Sequence, residues 1–185
     1  MGPNPTDRGK PGVKQSLLVE ADGGPLAITI AGANVPDAQL LAATIDAIVL
    51  ERPEPEPDFP QHLCLDKGYD NDTGWEAALD AGYDPHIAMI RDERPPRPKR
   101  HKARRWVVER TLAWLSKYRG LLIRYEKKAE NYLGLLKLAC CLIWLHCYLR
   151  FTVSSHVATF PARSPSRSVD EAGWANLSTA TARRI

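Results

Sequence analysis

Short apolar runs separated by turn residues dominate the first half of the chain. Two runs rich in valine, isoleucine and leucine flank Asp22-Gly23-Gly24, which favours a tight turn with positive φ. Residues 12–35 are therefore predicted to form a β-hairpin. The apolar runs at 62–65 and 86–90 predict two further short, buried strands.

Apolar residues at helical spacing predict four helices. The first begins at Pro36-Asp37 and runs to Leu50, and the second follows the capping cluster 70–73 and stops at Gly82. The third covers 104–118 and the fourth about 130–150. The order strand, strand, helix, strand, helix, strand, helix, helix predicts an α/β fold. Its mixed sheet would start with an antiparallel hairpin and continue with parallel neighbours.

The most apolar segment, residues 132–149, is interrupted by Lys137 and His146. A membrane-spanning helix needs about 20 mostly apolar residues, so we interpret this segment as a buried core helix with a core histidine. Residues 1–12 contain no apolar run typical of a signal peptide. We expect a cytoplasmic protein without membrane contact.

The spacing of the cysteine and histidine residues predicts no metal site. The four cysteines lie inside apolar runs and are interpreted as reduced core residues. The five histidines show no metal-ligand spacing.

Residues 151–185 are rich in serine, threonine, alanine and arginine and have few large apolar side chains. Such a segment buries too little surface to offset its ordering entropy. We therefore expect one domain over residues 1–150 and a disordered tail over 151–185.

Positive charge is concentrated in one proline-rich segment. The chain carries a net charge of only +3, yet residues 91–105 contain eight arginines or lysines against two acids. One interpretation is a loop that keeps the surface soluble. The other is neutralisation of nucleic-acid phosphates by Arg97, Lys99, Arg100, Lys102, Arg104 and Arg105. Trp106 and Trp114 could stack on bases, but indoles at helical spacing are more often core residues.

Two acidic residues are candidates for chemistry. Asp66 follows the apolar run 62–65 and precedes the turn at Lys67-Gly68. It is either a turn-initiating residue or a ligand at the carboxyl end of a strand, where α/β sheets bind ligands and metals. Glu109 lies beside a helical stripe of Val108, Leu112 and Leu115. It is either a surface partner of Arg105 or part of a carboxylate metal site.

The blocks "NPTDRGKPGVKQSLLVEADGGPLAITIAGANVPDAQLL", "LDKGYD" and "RRWVVERTLAWLSKYRGLLIRYEKKAENYLGLLKLACCLIWL" resemble, in this order, the DDE-type transposases of bacterial insertion sequences. The resemblance covers about residues 3–150. It implies an RNase H-like fold in which two aspartates and one glutamate bind Mg²⁺ for cleavage and joining of DNA strands. Asp66 matches the second acid and Glu109 the third.

The resemblance also implies partners: double-stranded DNA at insertion-sequence ends and targets, and an oligomer acting near the nucleoid. In the family helix a tyrosine, an arginine, the glutamate and a lysine recur. Here Lys102 replaces the tyrosine, Arg105 keeps its spacing to Glu109, and Lys117, the DNA-contacting candidate, stands one residue late.

The family's first aspartate lies on a strand before the "NPTDRGK" block, and neither Asp7 nor Asp22 is a good replacement. We therefore expect a sheet without its first strand and a chain that is inactive unless joined to an upstream-frame product. The alternatives are an inactive remnant or regulator that binds DNA or transposase subunits, and a stand-alone nuclease with an unrecognised third acid.

Overall fold

The computed structural model describes residues 1–5, 8–52, 60–87, 105–157 and 176–184. Its strands are β1 (Gly2–Pro3), β2 (Pro11–Val19), β3 (Pro25–Gly32), β4 (His62–Leu65), β5 (Asp84–Ile87) and β6 (Asn176–Arg184). Its helices are α1 (Asp37–Asp46), α2 (Asp72–Asp80), α3 (Arg105–Leu115), α4 (Arg119–Leu122) and α5 (Ala129–Val157), with a short 3₁₀ helix at Lys67–Tyr69.

The strands form a mixed sheet in the order β3-β2-β6-β4-β5, and β1 pairs with the start of β2. β2 is antiparallel to both β3 and β6, whereas β4 is parallel to β5 and to β6. The predicted antiparallel hairpin and the predicted parallel pair are both confirmed. Since β2 runs opposite to β4, the hairpin loop after β2 lies at the edge of the sheet where β4 begins.

The hairpin forms because its strands are apolar and its turn contains glycine. Gly23 has φ of 93°, a conformation that other residues rarely adopt. A Cβ at Gly23 would also lie only 2.7 Å from the guanidinium of Arg110 on α3. The backbone conformation of the turn therefore favours glycine, and the turn lies against side chains of α3.

Two hydrophobic clusters lie on opposite faces of the sheet. Leu17 and Val19 of β2 pack in a cluster with residues of α3 and α5, which we call the α3 face. Leu18 packs with Leu63 and Leu65 of β4 and with residues of α1 and α2, which form the α1 face. This two-sided burial is typical of an α/β sheet and places helices on both faces.

The tail differs from the predicted disorder in two of its parts. α5 continues to Val157, and residues 176–184 form β6 inside the sheet, between β2 and β4. A strand with a neighbour on each side gains ladder hydrogen bonds along both edges, so it does not need the large apolar residues that we took as the criterion for order. Residues 158–175 and 185 lie outside the described part of the chain, as does the proline segment 53–59.

The long helix α5 is less buried than predicted. Its inner side packs Tyr132, Leu136 and Ile143 into the core, and Trp144 Nε1 donates to Pro25 O at 2.8 Å. Yet His146, Cys141 and Cys147 are exposed, so their assignment to the core was wrong, whereas Cys140 is buried. All four cysteines are free thiols. Burial, with a smaller effect of Cys141, raises the pKa of the Cys140 thiol to about 12.

In the part of the chain that is described, one stretch of α5, Ala129–Leu149, is long and apolar enough to cross a membrane. The hydroxyl of Tyr132, inside this stretch, accepts from Gln15 Nε2 of β2 at 2.7 Å and donates to Leu121 O at 3.1 Å. These contacts join α5 to β2 and to α4.

Candidate active site at the carboxyl edge of β4

Asp66 stands at the carboxyl end of β4, as predicted. Its side chain accepts from the backbone N–H of Lys67 at 2.7 Å and caps the 3₁₀ helix that follows. The carboxylate therefore performs the turn function that we considered as one alternative. It is also only partly buried, so its oxygens lie at the surface of the sheet edge.

The register of the sheet assigns Asp66 to a face. Val19 of β2 and Cys64 of β4 both pair with Ser178 of β6. Residues paired directly in a ladder point to the same side, and alternate residues along a strand share that side. Asp66 has extended φ and ψ of −80° and 167°, so it continues the alternation and belongs to the α3 face.

Glu109 lies on α3, the helix that packs over this face. Val108 and Leu115 are buried and Leu112 is partly buried, which confirms the predicted apolar stripe. Glu109 is exposed beside that stripe, and Arg105 begins the helix one turn earlier. Asp66 and Glu109 thus belong to one face of the sheet, and their sharing of a metal ion stays a prediction.

Arg110 and Thr111, which follow Glu109 on α3, contact the hairpin turn at the edge of the sheet opposite to Asp66. Thr111 Oγ1 donates to Gly23 O at 2.7 Å, and the Arg110 guanidinium donates to Asp22 O. The same guanidinium lies 4.7 Å from the ring of Trp106 and 5.0 Å from that of Trp114. Trp106 is 53% exposed, so the core interpretation was wrong for it, whereas Trp114 packs partly against the core.

A second carboxylate, which sequence analysis treated only as a helix start, lies beside the turn that follows Asp66. Lys14 of β2 is fully buried, and its ammonium group donates to the Asp37 carboxylate and to Val35 O. A Cβ at Gly68 would lie 3.6 Å from Asp37 Oδ2, so the start of α1 adjoins the turn after Asp66. A lysine within an otherwise buried strand was the available sequence signal for this ion pair.

Most of the predicted DNA-binding residues cannot be placed. Five of them lie outside the described residues: Arg97, Lys99, Arg100, Lys102 and Arg104. Only the backbone of Arg105 is described, at the start of α3. Lys117 is exposed just beyond the end of α3. Arg119, Lys127 and Lys128, which follow it, are exposed as well.

Comparison with known proteins identifies the family of this chain. The family model described as "Transposase DDE domain" matches residues 2–144. The chain is also 44% identical over 144 residues to the "Putative transposase for insertion sequence element IS402" of Burkholderia cepacia, which covers 77% of this chain and 67% of that protein. No solved structure matches significantly.

The family match extends over the hairpin, β4 with Asp66, and α3 with Glu109. The α/β fold is consistent with the RNase H-like domain of these transposases, and the family implies use of a divalent metal ion. An inactive regulatory remnant is not favoured by these matches. The chain belongs to the DDE-domain transposases, and its function is DNA transposition.

Proposed function

We propose that this chain supplies the part of a transposase that cleaves and joins DNA strands at insertion-sequence ends, with Mg²⁺ as the metal ion. The observation that carries the proposal is the position of Asp66. It stands at the carboxyl end of a central parallel strand, on the face over which α3 packs. Ligands and metals of α/β sheets bind at this edge.

Asp66 and Glu109 are the residues that would hold the ion. Both offer carboxylate oxygens, the ligands that a hard cation such as Mg²⁺ prefers. Bound there, the ion would supply stabilisation of the charge that develops on the reacting phosphate oxygens. Lys14 would act by position, because it neutralises Asp37 and holds the start of α1 against the turn that follows Asp66.

The basic residues would hold the DNA. We assign the segment with Arg97, Lys99, Arg100, Lys102, Arg104 and Arg105, together with Lys117, to contacts with backbone phosphates. Support comes from Lys117 and Arg119, two exposed basic residues just past the end of α3. Contacts of this kind bind any duplex and weaken as salt rises, because counterions are released on binding.

The chain would work as an oligomer in the cytoplasm, close to the nucleoid. Five exposed leucines of α5 recur at alternating intervals of three and four residues, the spacing of a coiled-coil seam: Leu135, Leu138, Leu142, Leu145 and Leu149. They are 39–56% exposed, which is costly for a row of leucines. A second copy of α5 would cover this leucine row.

A strand-cleavage assay with Mg²⁺ tests the chemistry. The substrate is a duplex that ends in the insertion-sequence terminus, and the protein is used both as the 185-residue chain and joined to the coding sequence immediately upstream. Cleavage by either form should disappear in Asp66→Asn and in Glu109→Gln. It should persist in Asp80→Asn, which changes an exposed carboxylate at the end of α2. Cleavage by neither form, or cleavage indifferent to both substitutions, would contradict the proposal.

A further inference from the structure

A compact group of metal-ligating side chains lies away from Asp66. His62 is the first residue of β4, and Asp84 and His86 belong to the neighbouring parallel strand β5. His62 pairs directly with Asp84 in the ladder, and Cys64 pairs with His86. All three side chains therefore belong to the α3 face, like Asp66, but four residues of extended strand, about 13 Å, separate His62 from Asp66.

The ligand atoms of this group converge. His62 Nδ1 lies 2.9 Å from Asp84 Oδ2 and 2.9 Å from His86 Nε2, and His86 Nε2 lies 3.4 Å from Asp84 Oδ2. The two imidazole rings meet edge to face with centroids 4.7 Å apart. Two histidines and one aspartate thus present one atom each to a common point, and all three side chains are partly exposed.

Hydrogen bonds alone satisfy this triangle poorly. A neutral imidazole has one N–H and one lone pair, so a ring nitrogen that donates to Asp84 cannot also accept from the other histidine. At least one of the three close pairs is then left without a proton between its atoms. A cation at the centre would interact favourably with all three lone pairs at once.

We propose that His62, Asp84 and His86 bind a Zn²⁺ ion. Imidazole nitrogen and carboxylate oxygen are ordinary zinc ligands, at distances of about 2.0–2.2 Å. In a tetrahedral site such ligand atoms lie about 3.3–3.4 Å apart, so outward shifts of a few tenths of an ångström would admit the ion. Three protein ligands leave a fourth position open, and the ion would tie the start of β4 to β5.

This site is independent of the proposed chemistry at Asp66. Its ligands stand at the amino end of β4, and nitrogen donors favour zinc over the magnesium assigned to the carboxylates. Sequence analysis found no ligand spacing among the histidines because His62 and His86 are far apart along the chain. Only the parallel pairing of β4 with β5 brings them together.

Calorimetric titration of the 185-residue chain with Zn²⁺ tests the site. One ion per chain should bind, and His62→Ala, His86→Ala and Asp84→Asn should each weaken binding at least tenfold. His146→Ala, which removes an exposed histidine of α5, should leave the affinity unchanged. Co²⁺ in place of Zn²⁺ should give the strong visible absorption of a tetrahedral ion, and His86→Ala should abolish it.

Circular dichroism checks that each variant is folded. The replaced side chains are 34–54% exposed, so the variants should keep the native spectrum. Zn²⁺ should also raise the Tm of the unmodified chain but not that of the doubly substituted His62→Ala, His86→Ala chain. Absence of a bound ion in the unmodified chain, or equal affinity in His86→Ala, would overturn the proposal.

Discussion

The buried charge of Lys14, paired with Asp37, lies at the carboxyl edge of β4. Lys14 is fully buried, and the carboxylate of Asp37 and the carbonyl of Val35 are its hydrogen-bond acceptors. Desolvation of an ammonium group is costly, and removal of its partner leaves that cost uncompensated. The ion pair therefore fixes the start of α1 beside the turn that contains Gly68.

Replacement of Asp37 by alanine should destabilise the protein strongly. A broken buried ion pair costs about 3–5 kcal/mol, because a charge remains buried without its partner. Asp46→Ala, which removes an exposed aspartate from the end of the same helix, is the matched control and should change little. Urea unfolding followed by circular dichroism measures both, and equal midpoints for the two variants would refute this role of Asp37.

The pH dependence of stability should include a contribution from Glu20, next to the hairpin turn. Burial, with a smaller effect of Asp22, raises the pKa of the Glu20 carboxyl above its model-compound value of 4.5. In the window above 4.5 the folded state binds more protons at this site than the unfolded state, so this residue lowers stability as pH rises.

Glu20→Gln should consequently stabilise the fold at pH 7 relative to the unmodified chain. The difference should vanish near pH 3, where Glu20 is protonated in both states. Thermal unfolding at the two pH values measures it. A gain in stability that is equal at the two pH values, or larger at pH 3, would show that the raised pKa of Glu20 is not the cause.

At the scale of elements, the sheet depends on a strand from the far end of the chain. β6 pairs with β2 on one side and with β4 on the other, so it is an interior strand. The element that positions Asp66, β4, thereby receives ladder hydrogen bonds from both β5 and β6. Loss of β6 would separate the hairpin from the parallel pair.

Thr179→Pro should therefore destabilise the protein, since proline in a central strand removes a ladder donor and fits the sheet poorly. Thr179→Ala is the control, and its effect should be below about 1 kcal/mol, the span of strand propensities. Amide hydrogen exchange should show faster exchange in β2 and β4 of the proline variant alone. Equal protection in both variants would place residues 176–184 outside the sheet.

The elements that sequence predicted correctly are those with local signals. Gly23 marks the hairpin turn, and Asn71, whose side chain accepts from Gly74 N–H at 3.0 Å, marks the start of α2. β6 carries no such local signal, because its pairing with β2 and β4 joins segments that are far apart along the chain. His62 and His86 were missed for the same reason: pairing between distant strands brings them together.

At the scale of the whole molecule, the candidate site likewise combines residues that local sequence patterns indicate with contacts that only the fold creates. The turn after β4 and the helical spacing made Asp66 and Glu109 candidates, because both signals are local, but only the resemblance to transposases assigned them to metal binding. The contact between Lys14 and Asp37 depends on the packing of α1 against β2, which local patterns do not show. The leucine row of α5, which remains exposed after folding, is the surface through which copies of the chain would associate.

The leucine row of α5 should make the chain self-associate. Lysine at Leu138 and Leu145 together should convert an oligomer into a monomer, because charge in the seam of a coiled coil disfavours association. Leu122→Lys, an exposed leucine of α4 outside the row, should leave the assembly intact. Analytical ultracentrifugation distinguishes the two, and a monomeric unmodified chain would rule out this use of the leucine row.

The central claim, that Asp66 and Glu109 bind one divalent ion together, is tested most directly by a double-mutant cycle. Mn²⁺, as a substitute for Mg²⁺, is titrated by electron paramagnetic resonance into a His62→Ala, His86→Ala background with Asp66→Asn, Glu109→Gln or both. Two ligands of one ion act as a unit, so each single substitution should weaken binding at least tenfold and the pair should weaken it little further. If the double variant lost affinity for Mn²⁺ by the product of the two single losses, or if Glu109→Gln left the affinity unchanged, the two carboxylates would not share an ion.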